Sequence, residues 1–343
     1  EVCLVGSEMC IRDRYLHKNL EDFIVETPLK EPLSELIKDY DNSIDPSIEK
    51  TWKPYDFENS DIDAFLDELS IDKSVKVSPI KGGYKNAKNR LNEFIEKGYC
   101  DYAQYRSDPS KRASSEMSPY FHFGQISTHE VFEKIVQHEG WSPEKINPSL
   151  AGRREGWWGG SFNMESFFDE LITWRELGYH TCVRRANYNQ YSSLPEWAIK
   201  TLGEHSSDTR EYIYTLEELT YSQTHDEIWN AAQNQLREEG VIQNYLRMLW
   251  GKKILEWSPN PQVALSYMIT LNDRYSLDGR DPNSYSGVFW VLGRYDRAWG
   301  PERQIYGKIR YMTSDSAARK FNLKPYMEKW GNSQDRLDTS FSK

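Results

Sequence analysis

The sequence has few cysteines and no long apolar run. Its 343 residues include four cysteines, at positions 3, 10, 100 and 182, and no two are spaced as CxxC. This predicts free thiols in a reducing compartment rather than a disulfide framework. The mean hydropathy is −0.79, and no apolar stretch approaches the roughly 18 residues that a membrane span needs. The N-terminus has no basic flank followed by an apolar stretch, so we expect no signal peptide and a cytoplasmic setting.

Several common catalytic motifs are also missing. The sequence contains no glycine-rich phosphate loop, no HExxH and no GxSxG, so the usual kinase, metalloprotease and hydrolase patterns do not apply. Cysteine and histidine are not spaced as in metal sites, and we expect no metal. What the sequence does have is aromatic residues, at 14% with 12 Trp and 22 Tyr.

The net charge of −10 is unevenly distributed. Residues 1–80 contain 19 acidic and 9 basic residues, whereas residues 81–343 contain 34 of each. A neutral segment can still present a basic face locally, so the overall charge does not exclude a nucleic-acid partner.

The chain divides into four predicted parts. Residues 1–14 have no clear periodicity and are predicted to be non-native or disordered, and residues 333–343 are predicted to be a C-terminal tail. Residues 15–80 are acidic, with short helical stretches at Pro32–Lys38 and Ile62–Leu69, typical of a linker. Residues 81–332 are predicted to form a mainly α, all-helical domain. Apolar residues recur there at helical spacing in Tyr84–Ile95, Thr128–Gln137, Phe162–Cys182, Thr215–Ser222, Asp226–Glu239, Ile242–Glu256 and Pro261–Tyr275.

Three polar and aromatic segments are candidates for function, each with a structural alternative. In Ser114–Ser127, serines precede a helix start, which suits a pyrophosphate, although a serine N-cap explains the pattern as well. In Asp169–His180, the run Trp174-Arg175-Glu176 indicates either a binding site or a structural ion-pair network. Trp250 and Trp257 lie two helical turns apart, roughly 10 Å along the axis. That separation suits electron transfer between indoles, or simple filling of the core.

A fourth segment, Leu271–Met312, has the densest charge. Four aspartates alternate there with four arginines beside two tryptophans. Charges this dense next to apolar rings favour a cleft in which Asp–Arg pairs hold a polar ring system and a phosphate backbone. The charged residues are Asp273, Arg274, Asp278, Arg280, Asp281, Arg294, Asp296 and Arg297, and the tryptophans are Trp290 and Trp299.

Four separated strings resemble the photolyase and cryptochrome family, specifically its class II cyclobutane pyrimidine dimer photolyases. They are WNAAQ, LRM.W.KKILEW, LNDRY.LDGRDPN and GKIRYM, within a match from Gly82 to Lys329. The resemblance implies an all-helical, FAD-binding catalytic domain of photolyase type. Arg14–Phe23 resembles only the tail of the family's N-terminal α/β antenna domain. We therefore expect an N-terminally truncated chain with a remnant of that domain and no antenna chromophore.

The resemblance also implies roles for individual residues. Arg247 and Asp278 would form an ion pair against the flavin, and Asn272 would face its N5 atom. Glu176 would hydrogen-bond the damaged pyrimidines, with Met248 and Trp290 packing on them. Trp229, Trp250 and Trp257 would return electrons to an oxidised flavin. The remaining predicted cofactor contacts are Tyr105, Ser114, Ser115, Met117, Ser118, Asp281 and Asn283, and the remaining predicted DNA contacts are Trp174 and Arg297.

The activity implied by this resemblance is light-driven DNA repair. Excited, fully reduced FAD would donate an electron to a cyclobutane dimer flipped out of ultraviolet-damaged DNA, and the split pyrimidines would return it. We expect a monomer without an obligate protein partner or membrane contact. Two alternatives stay open at this point: a cryptochrome-like flavin photoreceptor without repair activity, and a non-catalytic DNA-binding remnant.

Overall fold

The computed structural model describes residues 15–20, 22–24, 29, 33–34, 43–53, 56, 61–153 and 155–331. Packing divides the chain into a unit of residues 22–76 and a larger unit of residues 1–21 together with 77–343. The predicted segments 1–14 and 333–343 lie outside the described residues, as does most of Pro32–Lys38. The predicted division of the chain at residue 80 stays a prediction.

Besides the helical residues 22–24, the described part of residues 22–76 contains the short helices α1 (Pro46–Thr51) and α2 (Ile62–Glu68). Each begins at an aspartate whose carboxylate accepts hydrogen bonds from the first-turn N–H groups, Asp45 for α1 and Asp61 for α2. Neither helix has a buried residue. Their stability therefore comes from local capping rather than from a core, as the polar composition of this segment predicted.

The larger unit is helical, which confirms the predicted fold class. Between described residues, strand-like pairing is limited to one bridge from Arg303 to Gly307. No helix among the described residues is long and apolar enough to cross a membrane. The α-helices are α3 (Tyr84–Glu93), α4 (Tyr102–Tyr105), α5 (Ser118–His122), α6 (Thr128–Glu139), α7 (Phe162–Phe168), α8 (Arg175–Arg184), α9 (Glu196–Glu204), α10 (Leu216–Thr220), α11 (Glu227–Glu239), α12 (Asn244–Trp257), α13 (Pro261–Tyr275), α14 (Pro282–Val291), α15 (Ser314–Lys320) and α16 (Lys324–Trp330).

Sequence signals fix where many of these helices begin and end. Asp226 caps the start of α11 through the N–H of Trp229, and Gly240 ends that helix in the left-handed conformation. Thr215 and Glu218 form a reciprocal capping box at α10. The predicted helical segments are thus confirmed, with bounds that differ by a few residues.

Two of the predicted helices contain π-helical turns that the sequence did not reveal. Phe94–Gly98 continues α3 as a π-helix, and Asp169–Trp174 joins α7 to α8 in the same way. A π turn places one more residue in a turn and rotates the side chains that follow. The single helix predicted at Phe162–Cys182 is therefore three consecutive segments that present different faces.

Helix α12 is at the centre of the larger unit and packs against α11, α13 and α14. It is buried on almost all sides, including its apolar residues Leu249, Ile254 and Leu255. A helix with apolar residues on several faces is typical of a core rather than of a surface. Its neighbours contribute Met268, Leu271 and Phe289. This rigid centre carries Arg247 and Trp250, both predicted site residues.

Gly178 allows α8 and α14 to approach closely. A Cβ atom at this position would lie 2.7 Å from Asn283 Oδ1 and 3.1 Å from the Pro282 carbonyl oxygen. We expect Gly178→Ala to lower the free energy of unfolding by about 2 kcal/mol through overpacking, as measured by urea denaturation. Gly203→Ala on α9 is the matched control, because nothing lies within 4 Å of its added Cβ, and it should raise stability by about 0.5 kcal/mol. Equal effects at the two sites would contradict this account.

Candidate functional site

An ion pair between α12 and the loop after α13 is at the centre of the predicted cofactor site. Arg247 Nη2 lies 3.5 Å from Asp278 Oδ1, and Arg247 Nη1 donates to Asn272 Oδ1 over 3.1 Å. The side chains of Arg247 and Asp278 are 22% and 17% exposed, so the pair is partly shielded from water. The structure thus brings together three residues that the sequence analysis assigned to one site.

Asp278 is held in its ionised form by its surroundings. Burial opposes ionisation, but the Arg247 guanidinium and the hydroxyls of Ser118 and Ser276 outweigh it, so the pKa of Asp278 lies below its ordinary value. Both serine hydroxyls donate to this carboxylate. Asp278 is therefore a fixed negative charge beside a fixed positive one.

Asn272 is buried and its amide is held in one orientation. Its oxygen accepts from Arg247, and its Nδ2 group donates to Ser284 Oγ and, over 3.3 Å, to Asp273 Oδ1. An amide fixed in this way presents a defined pattern of donors and acceptors. The pattern is compatible with the predicted role next to a flavin ring.

The structure does not support serine capping at the start of α5, although Ser127 does cap α6 by accepting from the His129 N–H. The residue that precedes α5 is Met117, without a side-chain hydrogen bond, and Ser118 points to Asp278 instead. Arg90 fixes the chain before this helix by donating to the carbonyls of Ser114 and Ser115. Met117 is fully buried, and its predicted contact with a cofactor stays a prediction.

The other predicted cofactor residues have clear local roles. Asp281 caps α14 by accepting from the N–H of Asn283 over 2.8 Å, and its second oxygen is 3.4 Å from His122 Nδ1. Because Ser118 also contacts Asp278, helix α5 holds the loop before α14 at two points. Tyr105 receives a hydrogen bond from Gln104 and has the Lys111 ammonium 5.5 Å from its ring centre.

The dense charges in Leu271–Met312 are arranged differently from the prediction. The observed partner of Asp278 is Arg247, which lies outside this segment. Asp273 accepts from the Arg280 backbone and from Tyr285 Oη. Arg294 is buried, donates to the Tyr188 carbonyl and has its guanidinium 3.7 Å from the Phe289 ring centre. The expected Asp–Arg pairing along the segment is therefore wrong for these residues.

Trp174 and Trp290, predicted to contact DNA, form a half-buried pair of indoles. Their ring centres are 4.5 Å apart, and Trp174 Nε1 donates to Asp169 Oδ2 over 3.1 Å. Met248 lies half-buried on α12, next to Arg247 in sequence, and Arg297 is exposed with its guanidinium 4.6 Å from the Trp299 ring. The indole pair provides a partly exposed aromatic platform.

Glu176 lies close to Trp174 in sequence but faces another direction. Its side chain is 52% exposed, and its carboxylate is 3.3 Å from Arg175. Two residues along an α-helix correspond to about 200° of rotation, so Glu176 lies roughly opposite Trp174. Glu170 was not among the predicted residues; it precedes Trp174 by four residues within the π-helical turn and pairs with Arg106. Four residues are nearly one π-helical turn, which puts Glu170 on the same side as Trp174.

The three tryptophans predicted for electron transfer are contiguous and buried. The ring centres of Trp229 and Trp257 are 5.6 Å apart. Trp229 Nε1 also donates to the Trp250 carbonyl over 3.0 Å, and Trp250 Nε1 donates to Gln233 over 2.8 Å. Trp229 therefore contacts both Trp250 and Trp257, whereas the sequence pattern had indicated only the pair within α12. The predicted separation of Trp250 and Trp257 stays a prediction.

The residues around Arg247 fit the cofactor that the sequence analysis predicted. They offer a guanidinium, a carboxylate, an oriented amide and serine hydroxyls within one cluster. A flavin has hydrogen-bond donors and acceptors along its pyrimidine edge, and FAD adds a pyrophosphate, so such a mixed set suits it. Among the residues that the structure describes, no group of three or more His, Cys, Asp or Glu side chains is placed to hold a metal ion.

Known proteins resemble this chain in sequence. The deoxyribodipyrimidine photo-lyase of Methanothermobacter thermautotrophicus is 41% identical over 252 residues, covering 74% of this chain and 51% of that protein. The protein of the same name from Arabidopsis thaliana is 33% identical over 321 residues, covering 91% of this chain and 58% of that protein. The chain thus spans about half the length of the curated relatives it matches. No protein-family model matches it.

Solved structures resemble the fold. A class III photolyase from Agrobacterium tumefaciens matches with a TM-score of 0.56 and 17% identity, covering 79% of this chain and 50% of that one. A Synechocystis cryptochrome matches with a TM-score of 0.53 and 14% identity, covering 77% of this chain and 48% of that one. The sequence relatives, together with these structural neighbours, show that this chain belongs to the photolyase and cryptochrome family.

Proposed function

We propose that this chain contains the FAD-binding, catalytic part of a class II photolyase that repairs cyclobutane pyrimidine dimers in DNA. The observation that carries the proposal is the convergence of Ser118, Arg247, Asn272 and Asp278, from three separate motifs, on one partly buried cluster. The names of the sequence relatives agree with it. In this proposal, residues 81–332 are the cofactor-binding domain and residues 15–80 are a linker with a remnant of an α/β domain.

The roles of the protein side chains follow from their positions. Arg247 and Asp278 bind and orient the polar edge of the cofactor, and Asn272 presents its fixed amide to the ring. When bound and reduced, FAD supplies the electron that light transfers to the lesion. The indoles of Trp174 and Trp290 offer apolar rings on which an unstacked pyrimidine dimer packs, so that extruding the lesion from the duplex costs less. A carboxylate near Trp174, either Glu170 or Glu176, hydrogen-bonds the lesion.

The experiment for this function is light-dependent repair of an ultraviolet-irradiated oligothymidine by the purified, FAD-loaded, reduced protein. Recovery of thymine absorbance under blue light, with none in a dark control, is the expected result. Bound flavin without repair would instead indicate a photoreceptor or a different lesion. A chain that retains no flavin would overturn the proposal and leave a DNA-binding remnant as the alternative.

The position of Trp174 distinguishes between Glu170 and Glu176 as the carboxylate that binds the lesion. Glu176 was the predicted lesion-binding residue, and we propose that Glu170 has the larger part, because it lies on the side of Trp174. Glu170→Ala should weaken binding of dimer-containing DNA about tenfold, the typical cost of losing a charged hydrogen-bond partner. Glu176→Ala should change it less than Glu170→Ala does. The measurement is fluorescence anisotropy with damaged and undamaged oligonucleotides, where affinity for undamaged DNA should stay the same. A larger loss for Glu176→Ala would restore the original assignment.

A further inference from the structure

A cavity lies next to Trp257, at one end of the tryptophan set. Its volume is about 450 Å³, within the size range of small-molecule sites. None of the residues predicted to bind the cofactor lines it. Its lining includes Glu211, Tyr212, His225, Trp257, Arg303 and Tyr311.

The walls of this cavity are aromatic and lead directly to the tryptophan set. Tyr212 and His225 are stacked, with ring centres 3.9 Å apart, and His225 lies 5.3 Å from the ring of Trp257. Trp257 in turn is in contact with Trp229. Trp257 is only 2% exposed. A planar ring bound in the cavity would therefore be close to this otherwise enclosed indole.

One wall has an unusual backbone that is held in place by specific contacts. Ile305 lines the cavity with a φ of 68°, a conformation that β-branched residues rarely adopt. The carboxylate of Asp208 accepts from the Ile305 N–H over 2.8 Å, and Gln304 donates to the Thr209 carbonyl over 2.8 Å. Such backbone persists only where its surroundings impose it, often at ligand sites.

The charges around the cavity are not all neutralised by one another. Lys253 and Glu256 are paired at 2.9 Å, and Tyr306 donates to the same carboxylate. The guanidinium of Arg303 lies 4.7 Å from the Tyr311 ring centre. Among the residues that the structure describes, Arg303 forms no salt bridge with a carboxylate. Glu211 raises the pKa of the Tyr212 hydroxyl. Arg303 is thus suited to bind a carboxylate, and Glu211 to accept a hydrogen bond from a hydroxyl group.

We propose that this cavity binds a small hydroxylated aromatic carboxylate, which donates electrons to the tryptophan set. The ring stacks on the aromatic walls, the carboxylate pairs with Arg303, and a phenolic hydroxyl donates to Glu211. The ligand gives one electron to the oxidised indole of Trp257 and releases its phenolic proton to solvent at the open mouth. Trp257 is thereby restored, and the ligand leaves as a phenoxyl radical. This inference rests on the proposed function, because it assumes that Trp257 carries electrons.

The binding part is tested on the purified chain by titration calorimetry with 3,4-dihydroxybenzoate. We expect saturable binding, weakened about tenfold or more by Arg303→Gln because a charged hydrogen-bond partner is lost. Arg319→Gln is the matched control, since this exposed arginine lies on α15 and does not line the cavity. Absence of saturable binding, or equal binding by Arg303→Gln and the wild type, would overturn the proposal.

The electron-donor part is tested by photoreduction of bound oxidised FAD. The rate should saturate with 3,4-dihydroxybenzoate in the wild type, and Arg303→Gln should need about ten times more donor for half the maximal rate. With an uncharged thiol as reductant, the two proteins should photoreduce at the same rate. A donor that binds without changing the rate would refute its role as an electron source. Protein that retains no flavin would refute the proposed function and this donor role, whereas calorimetry would still decide whether the cavity binds.

Discussion

Asp278→Asn should abolish stable retention of FAD and lower the free energy of unfolding by about 2 kcal/mol. The substitution leaves the Arg247 guanidinium partly buried without its counter-charge, which costs more than the pair itself contributes. It also removes the ionised acceptor of the Ser118 and Ser276 hydroxyls. The measurements are the flavin absorbance that stays with the protein through gel filtration, and urea denaturation of the flavin-free protein.

The control for this substitution is Asp315→Asn. Asp315 is exposed in the first turn of α15, so the same chemical change should alter stability by less than about 0.5 kcal/mol. If both variants retain FAD equally and unfold alike, Asp278 has neither of its assigned roles.

The effect of Asp278 should depend on pH. The folded-state pKa of this carboxyl is below its ordinary value of about 4. Its contribution to folding is therefore complete above about pH 4 and is lost as the pH falls through the lower, folded-state pKa. The stability difference between the wild type and Asp278→Asn should accordingly be constant near neutral pH and shrink below about pH 4. A difference that grows on acidification would contradict the sign of the shift.

Trp229→Phe should remove most of the light-driven reduction of bound oxidised flavin. Trp229 contacts Trp257 through its ring and the Trp250 backbone through its Nε1 atom, so the substitution interrupts the set at its middle member. Phenylalanine keeps an apolar ring in the core but is much harder to oxidise than an indole. The measurement is the rate of flavin bleaching under blue light with an external reductant, while repair by chemically pre-reduced protein should be retained.

Trp141→Phe is a matched control for that experiment. Trp141 is also buried, and its Nε1 atom donates to a backbone carbonyl, that of Trp158, over 2.7 Å. Both substitutions leave a cavity and remove one indole hydrogen bond, at a cost of about 2 kcal/mol each. Only Trp229→Phe should slow flavin reduction. Equal slowing by the two variants would mean that loss of packing, not loss of an electron carrier, is responsible.

Features determined by local interactions were the ones that the sequence predicted well. The apolar period over Asp226–Glu239 placed α11 to within a residue, since it depends on neighbours along the chain. The π-helical turn at Asp169–Trp174 escaped prediction, because an apolar period near 3.6 residues does not show where a turn takes in one extra residue. Glu176 was chosen on the family resemblance, whereas the geometry favours Glu170.

Partners that are distant in sequence were predicted only where the family resemblance supplied them. The pairing of Arg247 with Asp278 followed from the motifs and agrees with the structure. Ser118 and Asp278 are 160 residues apart in the sequence, and nothing in the sequence around either residue predicts their contact. For the same reason, the serines before α5 looked like helix caps.

The indole pairs also give this protein a distinctive optical activity. Trp229 and Trp257 lie 5.6 Å apart with an interplanar angle of 72°, and Trp174 and Trp290 lie 4.5 Å apart at 49°. The electronic transitions of two rings couple when the rings are close and are neither parallel nor perpendicular. Coupled transitions of this kind give a strong circular dichroism signal. The near-ultraviolet circular dichroism therefore reports on packing at the core and at the aromatic platform together, and it disappears when fixed tertiary packing is lost.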